Sequence, residues 1–362
     1  MHFLRESVGW EVGRAVKGLI LAGGFATRLR PLSCSKPKLL FPIVGTPLID
    51  HMCEWLVQAG VGQVVLAVNH LSDRLRMEVE ARKMGDQVQL SVEDTPLGTG
   101  GPLKLAASML ADEGPVVVVN GDVVTDVRLT ELFKTHEESG ADATIALFSV
   151  KDTRPFGLVT LDSQDNVVGF EEKSEKNVGP GWINAGVYIL NQSVIEMIPS
   201  GRAVSIEREI FPVLASRTKL KGWRHNGFWY DIGKIPDYVT TNLELLERRE
   251  SPFVGKGNEV TPRPGVEQPS FLAKDCIVED GAKLGPRVIF SPKVQVKSGA
   301  KVHETIVFEE TILGENCRVE EAIIGERVVI GSGATIGKGS IIAGQIKIPE
   351  GANVNPGSIV LN

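Results

Sequence analysis

A repeat of apolar residues at every sixth position runs from Leu272 to Val360 and constrains the fold of this chain more than any other feature. The repeat is interrupted only by five-residue steps before Leu313 and Ile324, and its positions are Leu272, Val278, Leu284, Phe290, Val296, Val302, Phe308, Leu313, Val319, Ile324, Ile330, Ile336, Ile342, Ile348, Val354 and Val360. A unit this short cannot bury its apolar face alone, so successive units must stack on one another. Three six-residue faces complete one triangular turn, which predicts roughly five coils of a parallel β-helix. An ordinary β-sandwich would instead alternate apolar and polar residues with a period of two.

Residues 17 to about 245 have a different texture, in which short β-branched runs alternate with helical stretches. We predict strands and helices in alternation, the strands at 17–22, 63–68, 88–92 and 115–119 and the helices at 48–59, 72–84 and 103–110. Uninterrupted Val and Ile runs between helices indicate a mostly parallel sheet with helices on both faces. In such sheets, ligands bind beyond the carboxyl ends of the strands. The glycines after Ala22 and the turn Asn120-Gly121-Asp122 both fall at those ends, so we expect a ligand site there.

Composition and charge exclude several classes of function. The chain has 362 residues with 39 basic and 45 acidic side chains, and this balance argues against a generally cationic nucleic-acid or membrane binder. No apolar run approaches the roughly 18–20 residues of a membrane span, and the first residues lack the apolar core of a signal peptide. The cysteines and histidines are scattered without metal-ligand spacing. These features predict a cytoplasmic protein with reduced thiols and with no nucleic-acid or membrane partner.

A glycine turn follows the first predicted strand, and cations follow the turn closely. It comprises residues 21–31, LAGGFATRLRP, and it is followed by Lys36-Pro37-Lys38. Glycines let backbone N–H groups approach a phosphate, and Arg28 and Lys38 supply positive charge. The segment is neither the dinucleotide-binding GxGxxG motif nor the GxxxxGK[ST] P-loop, so neither of those folds is supported.

Together with later segments, this turn resembles the signature of the sugar-1-phosphate nucleotidylyltransferase family. Residues 21–43, LAGGFATRLRPLSCSKPKLLFPI, resemble the family pattern LAGGxGTRLRPLT…PKP. Further segments resemble the family in chain order, at 92–103, 120–122, 156–159, 170–173, 183–186, 205–212 and 228–233. The last two resemble most closely the mannose-1-phosphate guanylyltransferase branch, to which a carboxy-terminal left-handed β-helix also belongs.

The resemblance implies an α/β fold, with a mostly parallel Rossmann-like nucleotidyltransferase sheet followed by a left-handed parallel β-helix of hexapeptide repeats. We therefore predict four segments, an N-terminal extension at 1–16, a catalytic domain at 17–248, a Pro- and Gly-rich linker at 249–270 and the β-helix at 271–362. Ends and faces of β-helices commonly associate, so a homo-oligomer is expected. Since no catalytic motif lies in the repeat, the repeat is expected to serve assembly more than chemistry.

The implied reaction is attack by a sugar phosphate oxygen on the α-phosphorus of a nucleoside triphosphate, with loss of pyrophosphate. GTP and mannose 1-phosphate are the favoured substrates and would give GDP-mannose. Glucose or heptose phosphates, and dTTP or UTP as the nucleotide, are alternatives within the same chemistry. An alternative of another class is a regulatory paralogue that binds a nucleotide sugar without turnover. Such a protein could lose Asp122, Asp231 or Lys173, and this chain keeps all three.

The family motifs assign roles to individual positions. Asp122 and Asp231 would hold Mg2+, which takes oxygen ligands and completes its shell with water and phosphates. Arg28 and Lys38 would act in catalysis, together with the two aspartates, by neutralising phosphate charge. The implied nucleotide-binding residues are Leu21, Ala22, Gly23, Gly24, Thr27, Arg28, Glu93, Gly98, Thr99 and Gly121. The implied sugar-phosphate-binding residues are Gly157, Glu172, Lys173 and Asn184.

Three positions carry more specific expectations. The carboxylate of Glu93 would read the base, because its two acceptors suit the N1–H and the N2 amino group of guanine, whereas uracil, thymine and adenine present an acceptor there. Ala26 stands where the family usually has glycine, and a positive φ at this position would cost about 1 kcal/mol. Glu207 fits either the sugar pocket or the start of a helix capped by Ser205.

Overall fold

The computed structural model describes residues 16–69, 72–82, 84, 87–171, 179–248 and 264–361. Within them the chain divides into two compact units. The first unit contains the residues up to Phe25 and Met52–Asp231, and the second contains Ala26–His51 and the residues from Ile232 onward. The segments 26–51 and 232–248 therefore belong to the same unit as the repeat. Apart from Val16, the predicted extension lies outside the described residues, as does most of the predicted linker. The predicted domain boundaries stay a prediction.

The α/β part of the chain contains the strands and helices that the alternating sequence texture predicts. Its strands are β1 (Val16–Leu21), β2 (Pro42–Ile43), β3 (Thr46–Pro47), β4 (Val61–Val68), β5 (Val88–Val92), β6 (Val116–Asn120), β7 (Val123–Thr125), β8 (Ala143–Val150), β9 (Leu158–Leu161), β10 (Val167–Glu171), β11 (Gly181–Leu190), β12 (Leu220–His225) and β13 (Trp229–Asp231). Its helices are α1 (Leu48–Gln58), α2 (Ser72–Ala81), α3 (Gly101–Leu105), α4 (Ala107–Leu110), α5 (Leu129–Ser139), α6 (Gln192–Met197), α7 (Phe211–Ser216) and α8 (Ile235–Glu247). None of the helices in the described part of the chain has the length and apolar character that crossing a bilayer requires.

A mixed sheet of nine described strands forms the centre of the first unit. Its main path follows the order β10-β9-β11-β6-β1-β4-β5, and β8 extends it by pairing with β11 and β12. The strands β6, β1, β4 and β5 run parallel, whereas β11 runs antiparallel to β6. Val116, Val117, Val118 and Val119 of β6 are fully buried, which is the pattern of a strand covered on both faces. The predicted α/β fold class is confirmed, with a parallel centre in a mixed sheet.

The predicted helix at 103–110 is interrupted. The structure has α3 and α4 in its place, and they meet at Ala106, whose backbone has φ −84° and ψ 5°. Leu103, Ala106 and Leu110 are nevertheless all buried in the core of the first unit. Packing of these three residues into one core is thus preserved without a continuous helix, because the tertiary contacts outweigh local helix propensity.

The repeat forms three stacks of short parallel strands, one for each face of a coil. The strands are β14 (Phe271–Leu272), β15 (Ile277–Val278), β16 (Lys283–Leu284), β17 (Ile289–Phe290), β18 (Gln295–Val296), β19 (Lys301–His303), β20 (Ile306–Val307), β21 (Ile312–Leu313), β22 (Arg318–Glu320), β23 (Ile323–Ile324), β24 (Val329–Ile330), β25 (Thr335–Ile336), β26 (Ile341–Ile342), β27 (Lys347–Ile348), β28 (Asn353–Val354) and β29 (Ile359–Val360). Each strand pairs with the strand three positions later, so that β14 pairs with β17 and β15 with β18. The predicted parallel β-helix is confirmed.

The first five-residue step of the repeat lies between Val302 and Val307, one repeat unit earlier than the step predicted between Phe308 and Leu313. Val307, not Phe308, is aligned with Phe290 in one neighbouring strand and with Ile324 in the other. Phe308 is also buried, but its ring lies 5.7 Å from that of Phe41. Val307 and Phe308 are adjacent, apolar and both buried, so the sequence does not show which of them occupies the repeat position. For this reason the five-residue step could not be located from the sequence.

Left-handed backbone conformations stack at the corners of the β-helix. One column, with φ between 52° and 64°, comprises Asp275, Lys293, Glu310, Arg327 and Gln345. N–H groups in this column donate to the preceding coil, as from Glu310 to Pro292 O (3.1 Å) and from Arg327 to Glu309 O (2.9 Å). We call it the charged corner column, because its first four members alternate in sign. Lys293 Nζ lies 3.4 Å from Glu310 Oε1 within it.

Candidate active site

The glycine turn and the Asp122 turn meet at one edge of the first unit's sheet. Leu21 is aligned with Asn120 at the carboxyl ends of β1 and β6. Gly121 N–H donates to Leu21 O at 2.8 Å, and Ala22 N–H donates to Ala67 O at 2.8 Å. The predicted nucleotide-binding residues Leu21, Ala22 and Gly121 are therefore held together by backbone bonds at the edge where a parallel sheet binds ligands.

Glu93 follows β5 at the same edge and approaches the glycine turn closely. Its N–H donates to Val68 O at 2.7 Å, which extends the parallel ladder by one residue. A Cβ built on Gly23 would lie 2.7 Å from Glu93 Oε1, so any larger residue here would require the carboxylate to move. The structure thus brings together Gly23 and Glu93, two residues that the sequence assigns to one nucleotide site.

The carboxylate of Glu93 is 4% exposed and only partly satisfied. Oε2 accepts a hydrogen bond from Leu97 N–H at 3.0 Å, whereas Oε1 has no hydrogen-bond partner among the described residues. Burial raises the pKa of Glu93, and the Leu97 bond opposes that change. A buried acceptor without a partner costs free energy, so Oε1 is suited to accept an N–H from a ligand.

Thr99 and Gly98 are tied to a second loop of the first unit. Thr99 Oγ1 donates to Glu207 Oε2 at 2.6 Å and accepts from Ile206 N–H at 3.0 Å. Gly98 pairs with Val204 of the same loop through a parallel bridge. The hydroxyl of Thr99, predicted to bind nucleotide, therefore positions its own loop through Glu207.

Glu207 gathers several donors at the start of a π-helical turn at Ile206–Ile210. Ser205 Oγ donates to Glu207 Oε2 at 2.8 Å and also caps the turn by accepting from Arg208 N–H. The predicted capping role of Ser205 is confirmed. The Glu207 carboxylate, however, bonds to Thr99 and Ser205 hydroxyls, so it links two loops of the candidate site.

Asn184 lies in β11 and connects the predicted sugar segment to Glu207. Its Oδ1 accepts from Gly186 N–H at 2.9 Å, and its Nδ2 donates to the hydroxyl of Tyr188 at 2.9 Å. Tyr188 in turn donates to Glu207 Oε1 at 3.3 Å. Complete burial, and then the charge of Glu207, raises the pKa of Tyr188 far above its ordinary value. Tyr188 therefore stays protonated and holds Asn184 in one orientation.

Asp122 and Asp231 are brought to neighbouring positions by the pairing of β7 with β13. Asp231 is aligned with Val123, the residue that follows Asp122. Both aspartates are partly exposed. No group of three or more His, Cys, Asp or Glu suited to a metal occurs among the described residues. Two neighbouring carboxylates nevertheless fit Mg2+, which commonly takes one or two protein oxygens and fills its shell with water and phosphates.

The remaining predicted site residues of the described chain lie in other segments. Gly157 N–H donates to Thr153 O at 2.9 Å before β9. In the second unit, Thr27 and Arg28 are exposed on a single 3₁₀ turn at Thr27–Leu29, and Lys38 begins another at Lys38–Leu40. Gly24 is exposed. Glu172 and Lys173 lie outside the described residues.

Ala26 adopts the left-handed conformation that its position in the motif suggests, with φ 47° and ψ 37°. Ala26→Gly is expected to raise the free energy of unfolding by about 1 kcal/mol, because glycine adopts this conformation without a Cβ clash. Chemical denaturation measures the change. Ala81→Gly, at the last residue of helix α2, is the matched control and should not raise stability, because that residue is helical and glycine offers no steric advantage there. Loss of stability in Ala26→Gly would contradict this account of the turn.

Sequence reasoning assigned no role to Tyr188, Asn120 or Lys36. The side chain of Asn120 forms a hydrogen bond with Tyr188. Lys36 forms ion pairs within the second unit. The signal for Asn120 was its place in the Asn120-Gly121-Asp122 turn. Lys36 stood in the motif Lys36-Pro37-Lys38 as a cation, but nothing in the sequence pointed to its ion pairs or to Tyr188, because their partners are distant in sequence.

Two family matches together cover most of the chain. The nucleotidyl transferase family matches residues 17–248, and the GMPPB C-terminal domain matches residues 266–362. The solved structure of HddC from Yersinia pseudotuberculosis complexed with GMP-PN is 28% identical, with a TM-score of 0.54. It covers 63% of this chain and 99% of that chain.

Curated relatives match this chain over most of its length. Mannose-1-phosphate guanylyltransferase catalytic subunit beta of Drosophila pseudoobscura pseudoobscura is 38% identical over an alignment of 271 positions that covers 73% of this chain and 72% of the relative. Probable mannose-1-phosphate guanylyltransferase 2 of Oryza sativa subsp. japonica is 35% identical over an alignment of 323 positions that covers 84% of this chain and 89% of the relative. The chain therefore belongs to the nucleotidyl transferase family, among the sugar-1-phosphate nucleotidylyltransferases that its motifs resemble.

Proposed function

We propose that this chain transfers a guanylyl group from GTP to mannose 1-phosphate and releases GDP-mannose and pyrophosphate. The relatives named mannose-1-phosphate guanylyltransferase support the choice of sugar phosphate. The complex of HddC with GMP-PN supports a guanine nucleotide. The observation that carries the choice of base is the buried Glu93 carboxylate beside Gly23, with one oxygen open to a donor among the described residues.

The hydrogen-bond pattern of Glu93 matches guanine better than the other bases. Oε2 already accepts from Leu97 N–H and retains capacity for a second bond, and Oε1 can accept two. Guanine offers two adjacent donors, N1–H and the N2 amino group. Uracil and thymine flank one N–H with two carbonyls, and adenine places a ring acceptor beside its amino group. An ionised carboxylate would face an unfavourable acceptor in each of these three cases.

The reaction joins two anions, so the side chains of this protein act mainly by neutralising charge and aligning the reactants. In this proposal Arg28 binds the triphosphate, Lys38 lies near the α-phosphate and Lys173 binds the sugar phosphate. Asn184 and Glu172 hydrogen-bond to sugar hydroxyls, and the backbone at Gly157 approaches the sugar. The orientation of Asn184 is fixed beforehand by Gly186 and Tyr188.

Asp122 and Asp231 are the residues that would hold Mg2+. Bound there, the ion would supply positive charge that offsets the phosphate oxygens. The pairing of β7 with β13 fixes the backbone of Asp231 and of Val123, the residue next to Asp122, before any ligand arrives. This preorganisation reduces the reorganisation needed during the reaction.

Pyrophosphate release across a panel of nucleotides and sugar 1-phosphates tests the proposal. The highest kcat/KM is expected for GTP with mannose 1-phosphate. Faster release with glucose or heptose phosphates would overturn the choice of sugar and leave nucleotidyl transfer intact. Absence of release with every pair would favour the non-catalytic regulatory paralogue. A cytoplasmic location and a homo-oligomeric state, without nucleic-acid or membrane partners, stay predictions.

Glu93→Gln is expected to weaken the preference for GTP over UTP, dTTP and ATP. The amide replaces an acceptor with a donor, which removes part of a two-point contact worth about 1–3 kcal/mol. The measurement is the ratio of kcat/KM values for the four nucleotides in the variant and the unmodified chain.

Glu113→Gln provides the matched control, since Glu113 is exposed and precedes β6 outside the candidate site. It should leave all four kcat/KM values unchanged. If UTP or dTTP exceeded GTP in the unmodified chain, the guanylyl assignment would fail even though nucleotidyl transfer could stand. An unchanged ratio in Glu93→Gln would remove Glu93 from base selection.

A further inference from the structure

Lys36 carries a charge into the interior of the second unit. Its side chain is 4% exposed, and its Nζ forms ion pairs with Glu309 and with Glu326 Oε2, the latter at 2.9 Å. Glu326 is itself 1% exposed. The two glutamates occupy equivalent places on successive coils, each one residue before a member of the charged corner column. One ammonium group therefore bridges two coils of the β-helix.

Such a cluster is sensitive to the loss of any member. Transfer of a charge from water to a protein interior is costly, and the attraction between partners offsets that cost only while both are present. Removal of Lys36 would leave the buried Glu326 with only Arg327, whose guanidinium lies 3.6 Å away, and removal of Glu326 would leave Lys36 with Glu309 alone. The Lys36 ammonium also lies 5.8 Å from the centre of the Phe308 ring, which favours a cation at this site.

The residues after Lys36 are fixed to the same unit by further contacts. The Phe41 ring lies 5.7 Å from the rings of both Tyr238 and Phe308. Tyr238 OH donates to Pro42 O at 2.6 Å, so a helix of this unit also holds the segment. A Cβ on Gly45 would lie 2.3 Å from the ring of Phe271, which shows how closely the backbone approaches the first coil.

Lys38 lies between these anchored positions. It begins a short turn in which Leu40 N–H donates to Pro37 O and Phe41 N–H donates to Lys38 O, both at 2.9 Å. Leu39 and Leu40 are buried. The backbone of Lys38 therefore has little freedom of its own, and its place is set by Lys36 on one side and Phe41 on the other.

We propose that Glu309 and Glu326 of the β-helix, acting through Lys36, position Lys38 for nucleotidyl transfer. The proposal rests on the proposed function, in which Lys38 lies near the α-phosphate. It gives the repeat a part in the chemistry, beyond the assembly role that the sequence alone suggests. Lys36 is a positioning residue here, since it acts through Lys38 and touches no reacting atom.

Removing one partner at a time tests the cluster. Glu326→Gln and Lys36→Met are expected to lower kcat/KM for GTP by about ten- to a hundredfold, at temperatures where circular dichroism shows both variants folded. Glu279→Gln is the matched control, because Glu279 pairs with Lys297 at 2.8 Å on a more exposed part of the same β-helix. Its kcat/KM should equal that of the unmodified chain.

The double variant Lys36→Met/Glu326→Gln separates positioning from plain stability. Removing both of these charges should restore much of the lost thermal stability, since a buried charge no longer lacks its partner. Its kcat/KM should stay low, because Lys38 has lost its anchor. Recovery of both quantities, or single variants that lose stability with unchanged kcat/KM, would overturn the proposal. If Lys36→Met fails to fold, the folded Glu326→Gln variant carries the test, and normal kcat/KM in that variant would overturn the proposal.

Failure of the proposed function gives a different result. In that case the unmodified chain releases no pyrophosphate with any substrate pair, whatever the state of Lys36. The positioning of Lys38 is then measured by the shift in melting temperature that GTP produces. A shift that is smaller in folded Glu326→Gln than in Glu279→Gln supports positioning, and equal shifts contradict it.

Discussion

Asp122→Asn and Asp231→Asn are each expected to lower the rate of pyrophosphate release by about 10²- to 10³-fold while leaving the chain folded. An asparagine keeps the size of the side chain but removes the negative charge that Mg2+ requires. The loss of one charge-stabilising contact in an active site has effects of this size. Steady-state kinetics at several Mg2+ concentrations measure the change, and circular dichroism checks the fold.

A matched control for both variants is Asp73→Asn, since Asp73 is an exposed aspartate in helix α2. It should leave the rate and its Mg2+ dependence unchanged. The assignment of Asp122 and Asp231 fails if both variants retain near-normal Mg2+-dependent rates. Loss of activity in one variant alone would restrict the role to that carboxylate and would contradict a shared site.

Ile330→Asp is expected to destabilise the β-helix by about 4 kcal/mol or more. Ile330 is 1% exposed in β24, where it is aligned with Leu313 and Ile348 of the neighbouring coils. An aspartate at this position would be buried among apolar side chains, and its charge would have no compensating bond. Chemical denaturation followed by circular dichroism measures the loss.

The neighbouring strand stack supplies a control with the same chemical change. Ile359 lies in β29 of the same domain but is 58% exposed, so Ile359→Asp should alter stability by no more than about 0.5 kcal/mol. Equal losses in the two variants would contradict the inward position of Ile330. A loss of about 1 kcal/mol in Ile330→Val would confirm that packing at this position is close.

The sequence predicts the structure of the β-helix in more detail than that of the α/β part. In the β-helix the repeat positions from Leu284 to Ile348 are buried and those of the end coils are partly buried, so the apolar period alone predicts which residues face inward. The apolar period does not distinguish Val307 from Phe308, because these adjacent residues are both apolar and both buried. In the α/β part, the continuous valine run of β6 predicts a central strand. The break at Ala106 was not predictable, because it depends on packing against distant elements.

The candidate site was predictable where its residues end a strand. Gly23 and Asp122 follow apolar runs, and parallel pairing brings the ends of those strands to one edge, whereas Glu93 was indicated only by the resemblance to the family. The contacts of Lys36 could not be predicted from the sequence, since Glu309 lies 273 positions away and no local period connects the two residues. Likewise, the motif identifies Thr99 but does not indicate that its hydroxyl bonds to Glu207, 108 positions later.

The charged corner column also bears on how this domain can change in length during evolution. A coil is a self-contained increment, so whole coils can in principle be gained or lost without disturbing the apolar interior. Asp275, Lys293, Glu310 and Arg327 alternate in sign from coil to coil. Deleting the coil of Lys293 would place Asp275 over Glu310, whereas deleting two coils would place Asp275 over Arg327. Like charges in contact are unfavourable, so loss of a single coil would bring two acidic side chains together in this column. Loss or gain of two coils at once would keep opposite charges adjacent.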